Sequence, residues 1–436
     1  MSLHDDMVAM GQRALAASRA LALLSTRRKN GILQAMADQL VSDSPHIQQA
    51  NVVDMEAGRQ AGLSAALLDR LHLTSTRIEA MAQGLRNVAA LPDPVGRTIR
   101  RWARPSGGVR PSGGVRPSGG VRPSGLQIVK RRVPIGVIGI IYESRPNVTA
   151  DAAALCFKTS NAVILRGGKE AARSNSAIVQ AMTTGGVRKG LPADAIQFIQ
   201  TLDHDAIREL VQLEGLVDLV IPRGGETLIR TVMENARVPV IKHYKGVCHV
   251  FVDQSADPEM ALAIIENAKC QRPGVCNAIE KVLIHEAIAA SFLPRMAKQL
   301  QARGVELRGD EAARRIVPAI HKAAVADWTT EYLDLILAIR VVSSVKAAAE
   351  HINRYGSHHS DAIVTASATA QKIFTDEVDS ACVYVNASTR FTDGGEFGMG
   401  AEIGISTDKL HARGPMGLEE LTTYKYVIHG TGQVRT

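Results

Sequence analysis

The chain has 436 residues, 45% of them hydrophobic and 22% charged, a composition typical of a globular protein with two or three domains. Its formal net charge is +8, the basic residues are scattered among acidic ones, and aromatic residues make up only 4%. Nucleic acid is therefore an unfavoured partner, because base stacking needs an aromatic surface, and anionic small molecules are favoured instead.

The N-terminal part of the chain is rich in alanine and leucine at helical spacing. Ser44 and Ser64 stand where they can cap helices, and Pro92 and Pro94 end the helical block. The predicted helices are Arg13–Leu24, Arg28–Val41, Ser44–Gly58 and Ser64–Val88.

A repeat follows, in which Arg-Pro-Ser-Gly begins at Arg104, Arg110, Arg116 and Arg122 with a period of six residues. Proline, serine and glycine favour turns, and the Val-Arg pairs between them are too short to form a buried strand. We interpret the repeat as a tandem duplication in a surface loop, because the cost of closing a loop rises slowly with its length. We expect Pro105–Arg122 to be mobile. The alternative is an arginine-rich arm that binds phosphates.

From Leu126 onward, strands and helices alternate. The predicted strands are Leu126–Val133, Gly136–Tyr142, Ala162–Leu165, Ile196–Gln200, Leu216–Ile221 and Pro239–Ile241. The predicted helices are Asn147–Thr159, Glu170–Thr184, Asp205–Leu213 and Glu226–Glu234. This alternation predicts a parallel sheet with helices on both faces and functional turns at the carboxyl ends of its strands.

Two of these turns have an Arg-Gly-Gly sequence. Arg166-Gly167-Gly168-Lys169 follows one predicted strand and Arg223-Gly224-Gly225 another, and each leads into a helix. Glycine lets the backbone approach a ligand, and a helix N-terminus offers free N–H groups and a positive dipole end to an anion. Both turns therefore predict phosphate binding. The alternative is a simple tight turn, because neither matches the GxGxxG or P-loop pattern.

A second alternating segment contains a candidate nucleophile. Its predicted strands are Cys248–Val252, Val282–His285, Leu335–Val342, Asp361–Thr365 and Cys382–Asn386, and its helices include Pro258–Lys269, Ile288–Arg303 and Val345–Tyr355. The glycine-rich Arg390–Gly400 is predicted to be a loop over a site, and Tyr424–Val427 a final strand.

Pro273 and Gly274 end a predicted helix, so Cys276 is predicted to lie on a loop before the next strand. A thiol there would be fixed and accessible, and it needs positive surroundings to react as a thiolate. Lys269 and Arg272 are the neighbouring cations in the sequence. The alternative is that Cys276 is a small buried hydrophobic residue.

The N-terminus and the cysteines bear on the cellular compartment. Asp5 and Asp6 stand where a signal peptide would carry basic residues, and the apolar stretch Val133–Tyr142 is too short to span a bilayer. The five cysteines are irregularly spaced and include no CxxC pair. These patterns predict a cytoplasmic protein with reduced thiols, no membrane association and no metal site.

Five stretches together resemble the gamma-glutamyl phosphate reductases, also called glutamate-5-semialdehyde dehydrogenases, of the aldehyde dehydrogenase superfamily. They are Val133–Thr149, Ile164–Glu170, Cys276–Glu280, Tyr384–Gly395 and His411–Lys425. The likeness covers the chain except for the repeat. It implies an α/β fold with a Rossmann-type nucleotide-binding domain, an α/β catalytic domain and a β-arm that joins subunits into a homo-oligomer.

The resemblance also implies domain boundaries. Residues 1–98 and 128–250 would form the NADPH-binding domain, and residues 251–390 the catalytic domain with Cys276. Residues 99–127 and 415–436 would form the oligomerisation arm, which contains the repeat.

The resemblance implies NADPH-dependent reduction of L-glutamyl 5-phosphate to L-glutamate 5-semialdehyde and phosphate, the second step of proline biosynthesis, with functional coupling to glutamate 5-kinase. Cys276 would be the nucleophile that forms a thioacyl enzyme, which hydride from NADPH then releases as the aldehyde. Asn147 and the N–H of Cys276 would stabilise the oxyanion. The alternative for Asn147 is a helix N-cap.

The resemblance assigns the cofactor residues as well. Arg166 falls where the superfamily commonly has a lysine at the adenosine ribose, so Arg166 and Lys169 would favour the 2′-phosphate of NADPH. Arg223–Gly225 would lie near the pyrophosphate. Glu331 would contact the nicotinamide ribose, and its alternative is a solvated carboxylate.

Two other functions stay open. One is a hydrolytic NAD(P)-dependent aldehyde dehydrogenase, although the chain offers no counterpart of the glutamate that activates water in such enzymes. The other is a non-catalytic scaffold that uses the repeat as a basic arm, against which the cysteine loop and both Arg-Gly-Gly turns argue.

Overall fold

The structure is a computed structural model that describes residues 2–103, 125–143 and 145–434. The repeat, with its predicted mobility, lies outside these ranges. The chain divides into two compact units, the first made of Met1–Ile140, Ser144–Leu219 and Leu418–Thr436, the second of Ile141–Glu143 and Val220–Gly417. Within the described ranges, every helix is too short or too polar to cross a lipid bilayer.

The N-terminal helices of the first unit mostly begin at a side-chain cap. They are α1 (Leu3–Leu21), α2 (Thr26–Ser42), α3 (Ser44–Gln60), α4 (Ala65–Leu71) and α5 (Ser75–Ala90), and the hydroxyls of Ser2, Ser25, Ser64 and Thr74 cap α1, α2, α4 and α5. Each cap satisfies an N–H of the first helical turn that has no partner within the helix.

The single helix predicted over Ser64–Val88 is wrong, because the structure has α4 and α5 in its place. The Asn51 side chain binds the backbone between them, donating to the Leu71 carbonyl and accepting from the Leu73 N–H, each at 2.8 Å. Thr74 then caps α5. Helical periodicity continues through the break, so the pattern alone does not indicate it.

Two sheets contain strands of the first unit. β1 (Thr98–Ala103), β2 (Gln127–Pro134) and β16 (Thr422–His429) form an antiparallel sheet with β2 in the centre. β3 (Val137–Tyr142), β4 (Ala162–Arg166), β5 (Ile196–Phe198) and β6 (Leu219–Arg223) form a second sheet in the order β5-β4-β3-β6, and the boundary between the units runs through β3 and β6. The helices of this segment are α6 (Pro146–Lys158), α7 (Ala172–Val187), α8 (Asp205–Val211) and α9 (Glu226–Asn235).

The strand predicted at Pro239–Ile241 is wrong. Only Val240 pairs there, in an isolated bridge with Val220. The chain leaves the sheet at once, because the N–H of Lys242 donates to the side chain of Asp408 at 3.0 Å.

The second unit is built on a seven-stranded sheet in the order β10-β9-β11-β8-β7-β12-β13, with all pairings parallel. Its strands are β7 (Cys248–Val252), β8 (Ile279–His285), β9 (Glu306–Gly309), β10 (His321–Lys322), β11 (Ile336–Val342), β12 (Ser360–Val364) and β13 (Cys382–Val385). Its helices are α10 (Pro258–Cys270), α11 (Glu286–Ala302), α12 (Glu311–Ile316), α13 (Val345–Tyr355) and α14 (Ala368–Glu377). β14 (Ile405–Ser406) and β15 (Gly414–Pro415) form a small antiparallel pair.

Alternate residues of the central strands face two separate cores, as the twofold side-chain period of a strand requires. Val250 and Val252 belong to one buried cluster, together with residues of α10 and α11. Phe251 belongs to another, together with residues of α13 and α14. The predicted α/β architecture, with helices on both faces of a parallel sheet, is confirmed.

Candidate active site

Cys276 lies in the nucleophile loop, which we define as Gln271–Ala278, between the end of α10 and the start of β8. The predicted loop position is confirmed. The side chain is half-buried, and the N–H of Ala278 donates to the Val275 carbonyl at 3.0 Å in a turn around the cysteine. The thiol therefore has a fixed backbone and access to solvent, which is what a nucleophile requires.

Two residues near the start of β7 contact the backbone of Cys276. Gly246 lies just before the strand, and Cys248 is its first residue. A Cβ on Gly246 would overlap the Cys276 carbonyl, so this close approach requires glycine. The wholly buried Cys248 thiol donates to the same carbonyl oxygen at 3.2 Å. Burial raises the pKa of the Cys248 thiol well above its usual value, so it stays protonated as a donor.

An ion pair joins the two ends of the nucleophile loop. Lys269, in α10, binds Glu280, in β8, at 3.0 Å, and both side chains are wholly buried. Burial lowers the pKa of Lys269 and raises that of Glu280, while each partner opposes the shift of the other. We call this pair the clasp. Because the charge of Lys269 is paired with that of Glu280, a cation that acts on Cys276 must belong to another residue.

Arg390 is a functional candidate that the sequence analysis missed. Its Nε donates to Gln271 Oε1 at 3.0 Å and its Nη1 donates to Asn277 Oδ1, so it binds both sides of the nucleophile loop. Burial lowers the pKa of Arg390, the charge of Arg272 lowers it further, and Cys276 acts in the opposite direction. One feature of the sequence could have identified Arg390. It is a cation at the start of the glycine-rich stretch Arg390–Gly400, which was predicted to be a loop over a site.

Glu331 is linked to the nucleophile loop through Gly246. Its Oε1 accepts the Gly246 N–H at 2.8 Å. The side chain is half-buried, and burial raises the pKa of its carboxyl above the ordinary value. Glu331 is therefore not a freely solvated carboxylate, while its contact with the nicotinamide ribose stays a prediction.

The second Arg-Gly-Gly turn, Arg223–Gly225, joins β6 to α9, as predicted. Gly225 is the N-cap residue of α9, and its N–H donates to Glu143 Oε2 at 2.9 Å. A Cβ on Gly224 would overlap that carboxylate. The guanidinium of Arg223 lies against Gly404, where a Cβ would overlap it. The turn thus binds an anionic group, and here that group is the protein's own side chain.

The first Arg-Gly-Gly turn follows β4 and leads into a short 3-10 turn, Lys169–Ala171, before α7. Arg166 is only 4% exposed and donates to the backbone carbonyls of Gly167 and Asp203. Lys169 is exposed. A Cβ on Gly168 would overlap the Glu170 carboxylate. The predicted start of the helix at Glu170 is wrong, because the 3-10 turn takes up its first residues.

Asn147 belongs to the first unit and lies in the first turn of α6. The alternative role as an N-cap is wrong, because the N-cap residue is Arg145. The Asn147 Nδ2 donates to Asp151 Oδ2 at 3.3 Å, one helical turn further on. Burial raises the pKa of Asp151 to about 6, and the bond from Asn147 opposes that shift. The exposed amide of Asn147 is thus oriented by a carboxyl group.

Across the ranges that the structure describes, no group of three or more His, Cys, Asp or Glu side chains is placed to hold a metal ion.

The chain is similar to known proteins over its whole length. The model of the aldehyde dehydrogenase family matches residues 3–336. A gamma-glutamyl phosphate reductase from Moorella thermoacetica is 55% identical over 435 residues, covering 100% of both chains.

Solved structures agree. The crystal structure of the gamma-glutamyl phosphate reductase from Thermotoga maritima has a TM-score of 0.93 and 46% identity, covering 99% of this chain and 100% of that one. The NADP complex of a glyceraldehyde-3-phosphate dehydrogenase from Methanocaldococcus jannaschii shares the fold, with a TM-score of 0.66 and 14% identity over 98% of this chain and 95% of that one. The chain therefore belongs to the gamma-glutamyl phosphate reductase family, oxidoreductases of the aldehyde dehydrogenase type.

Proposed function

We propose that this protein reduces L-glutamyl 5-phosphate to L-glutamate 5-semialdehyde and phosphate with NADPH, as a cytoplasmic enzyme of proline biosynthesis. The observation that carries the proposal is the half-buried Cys276 on a loop that Arg390 binds from both sides. A thiol that is held in place and reachable from solvent is what a cysteine nucleophile requires. The relative from Moorella thermoacetica bears the name of this activity and matches the chain from end to end.

In the proposed reaction, the Cys276 thiolate attacks the acyl carbon, a C–S bond forms, and the C–O bond to phosphate breaks. NADPH, when bound, supplies the hydride that reduces the resulting thioester carbon. The C–S bond then breaks, and Cys276 leaves as the thiolate. We assign Asn147 and the N–H of Cys276 as donors to the oxyanion that develops at each addition.

The proposed cofactor is supported by the charges at the carboxyl end of β4. Arg166 is nearly buried and Lys169 is exposed, and both are basic residues. A charged donor of this kind suits the 2′-phosphate that distinguishes NADPH from NADH. We assign the Arg223–Gly225 turn to the pyrophosphate and Glu331 to the nicotinamide ribose.

We also propose that the protein is a homo-oligomer joined through the sheet β1-β2-β16. Tyr424, Tyr426 and Ile428 on the edge strand β16 are between 48% and 57% exposed, which leaves apolar surface for a second copy. Because acyl phosphates hydrolyse readily, we further propose functional coupling to the glutamate 5-kinase that makes the substrate. Measurement of the mass in solution, alone and with the kinase, tests both proposals.

The decisive assay is NADP+ reduction with L-glutamate 5-semialdehyde, with and without phosphate. The proposed enzyme needs phosphate to release the acyl group. Turnover that does not depend on phosphate would instead identify a hydrolytic aldehyde dehydrogenase.

Cys276→Ser tests the nucleophile. Without a base to activate it, the hydroxyl is a far poorer nucleophile, so we expect turnover to fall by about a thousandfold or more. NADPH binding, followed by fluorescence titration, should persist. Cys270→Ser, at the half-buried thiol just before the loop, is the matched control and should stay active. Substantial activity of Cys276→Ser would remove Cys276 from the mechanism.

A further inference from the structure

Arg272, in the nucleophile loop, and Arg390, which binds that loop, carry charges that no ion pair within the described ranges neutralises. Arg272 and Arg390 form no ion pair with any residue in the described ranges, whereas Arg295 and Arg308 in the same unit pair with carboxylates at 2.5 and 2.8 Å. In the described part of the chain, the Arg390 guanidinium donates to the neutral side-chain amides of Gln271 and Asn277. Such bonds fix the position of the guanidinium and leave its net charge uncompensated.

The positive charges of Arg272 and Arg390 repel each other, and a bound anion would relieve this repulsion. Arg272 and Arg390 are close enough to repel each other. Asp393 also attracts Arg390, although the two side chains form no ion pair in the described ranges, and its carboxylate accepts the N–H of Gly395 at 2.8 Å. Like charges held together in a partly desolvated place raise the free energy of the empty site, and a bound anion lowers it.

The position of Arg390 next to Cys276 identifies the anion. Resting on the proposed function, we propose that Arg272 and Arg390 bind the phosphoryl group of the acyl phosphate, and inorganic phosphate in the reverse reaction. The phosphoryl oxygen is bonded to the carbon that sulfur attacks, so it lies within a few ångströms of the thiol in any reactive arrangement. The substrate's α-carboxylate is three methylene or methine carbons away from that carbon and so is the weaker candidate.

This site would act on bond cleavage as well as on binding. When sulfur adds and the carbonyl re-forms, the electron pair of the C–O bond leaves with phosphate. Negative charge then grows on the leaving oxygen, and guanidinium groups stabilise this charge more strongly than the charge of the ground state. In the reverse direction, a phosphate oxygen held there attacks the thioester, and the Cys276 thiolate leaves.

Alkylation of Cys276 measures phosphate binding without cofactor or turnover. The full chain is treated with iodoacetamide at constant ionic strength, with inorganic phosphate, glutamate or chloride, and Cys276 is followed by peptide mass spectrometry. Phosphate at ten times its dissociation constant should slow the reaction about tenfold, because only the free enzyme reacts. Cys270, half-buried in the same unit, is the internal control and should react at an unchanged rate.

Variants connect this protection to the two arginines. Arg390→Met should weaken phosphate binding about 10- to 100-fold, the value of a hydrogen bond to a charged group. Arg272→Met should weaken it by less, about three- to tenfold, since its exposed side chain makes a more screened contact. Within the part of the chain that the structure describes, the Arg272 side chain makes no hydrogen bond, so Arg272→Met should leave the loop intact even if Arg390→Met disturbs it. Arg295→Met is the matched control and should bind phosphate like the wild type.

The ratio of rates with and without phosphate is compared within each variant, because loss of an arginine also changes thiol reactivity. The proposal is overturned if phosphate fails to protect wild-type Cys276, or if both variants keep wild-type protection. Protection by glutamate that depends on the arginines, without protection by phosphate, would assign the site to a carboxylate instead. Failure of NADPH-dependent turnover with phosphate protection intact would reject the proposed function and leave the anion site standing.

Discussion

The two Arg-Gly-Gly turns share a sequence and differ in the structure that follows them. Arg166–Gly168 ends the buried strand β4 and enters a 3-10 turn, with its arginine nearly buried. Arg223–Gly225 ends β6 and begins α9 directly, with Gly225 as the N-cap residue. Only the second turn therefore leads straight into the N-terminal N–H groups of an α-helix.

Both turns nevertheless use a glycine to admit a carboxylate. Glu170 lies over Gly168 from two residues further along the chain, and Glu143 lies over Gly224 from the end of β3. Glu143 also accepts the Gly225 N–H at 2.9 Å. The Arg-Gly-Gly motif thus predicts that an anion lies at the turn. In both turns that anion is a carboxylate of the protein itself. A cofactor phosphate at the second turn would compete with Glu143.

Among changes to the two turns, substitution of Arg166 or Arg223 should have the largest effect, and the two substitutions should differ in which cofactor they affect. Arg166→Ala should raise the Michaelis constant for NADPH about 10- to 100-fold and change that for NADH little, because a lost charged hydrogen bond has this value. Arg223→Ala should raise both constants alike, since the pyrophosphate is common to the two cofactors. Steady-state kinetics with each cofactor measures the split. Equal effects of Arg166→Ala on NADPH and NADH would show that Arg166 does not bind the 2′-phosphate.

Substitution of the glycines should affect stability. Gly224→Ala places a methyl group against both the Glu143 carboxylate and Leu228, and crowding of this kind costs about 1–3 kcal/mol. Gly225→Ala is the matched control, because the nearest atom to its added methyl group would be 3.9 Å away. Thermal unfolding of both variants should show a lower midpoint for Gly224→Ala alone. Equal midpoints would mean that Glu143 moves away without cost.

The smallest effect should come from the carboxylate that fills the second turn. Glu143→Gln keeps an acceptor for the Gly225 N–H and removes a negative charge from the helix N-terminus. A charge there changes the free energy by about 0.3–1 kcal/mol, so NADPH should bind about two- to fivefold more tightly. Glu234→Gln, near the other end of α9, is the control and should leave affinity unchanged. Weaker binding by Glu143→Gln would contradict competition at this turn.

Local patterns predicted what local interactions decide. The alternation of strands and helices and the loop position of Cys276 follow from periodicity and from Pro273 and Gly274, so the sequence was sufficient for both. The prediction failed between α4 and α5, because the break there is stabilised by hydrogen bonds from the side chain of Asn51, which belongs to α3.

The surroundings of Cys276 were beyond the same reasoning. Gly246, Glu331 and Arg390 reach the nucleophile loop through the order of strands in the seven-stranded sheet, where three of the six neighbouring pairs are not consecutive in the chain. Strand order depends on long-range pairing, and the spacing of residues along the chain does not determine it.

The clasp has a consequence for how this enzyme can evolve. Loss of either Lys269 or Glu280 alone leaves a buried charge without its partner, which costs about 3–5 kcal/mol. That is a large share of the roughly 5–15 kcal/mol by which a folded domain is stable. Replacing both residues with apolar ones is often neutral, yet every route by single mutations passes through a protein that is destabilised by this amount. Selection for folding alone therefore preserves the base of the nucleophile loop, and a screen of single mutants would score both positions as essential although neither takes part in the proposed chemistry.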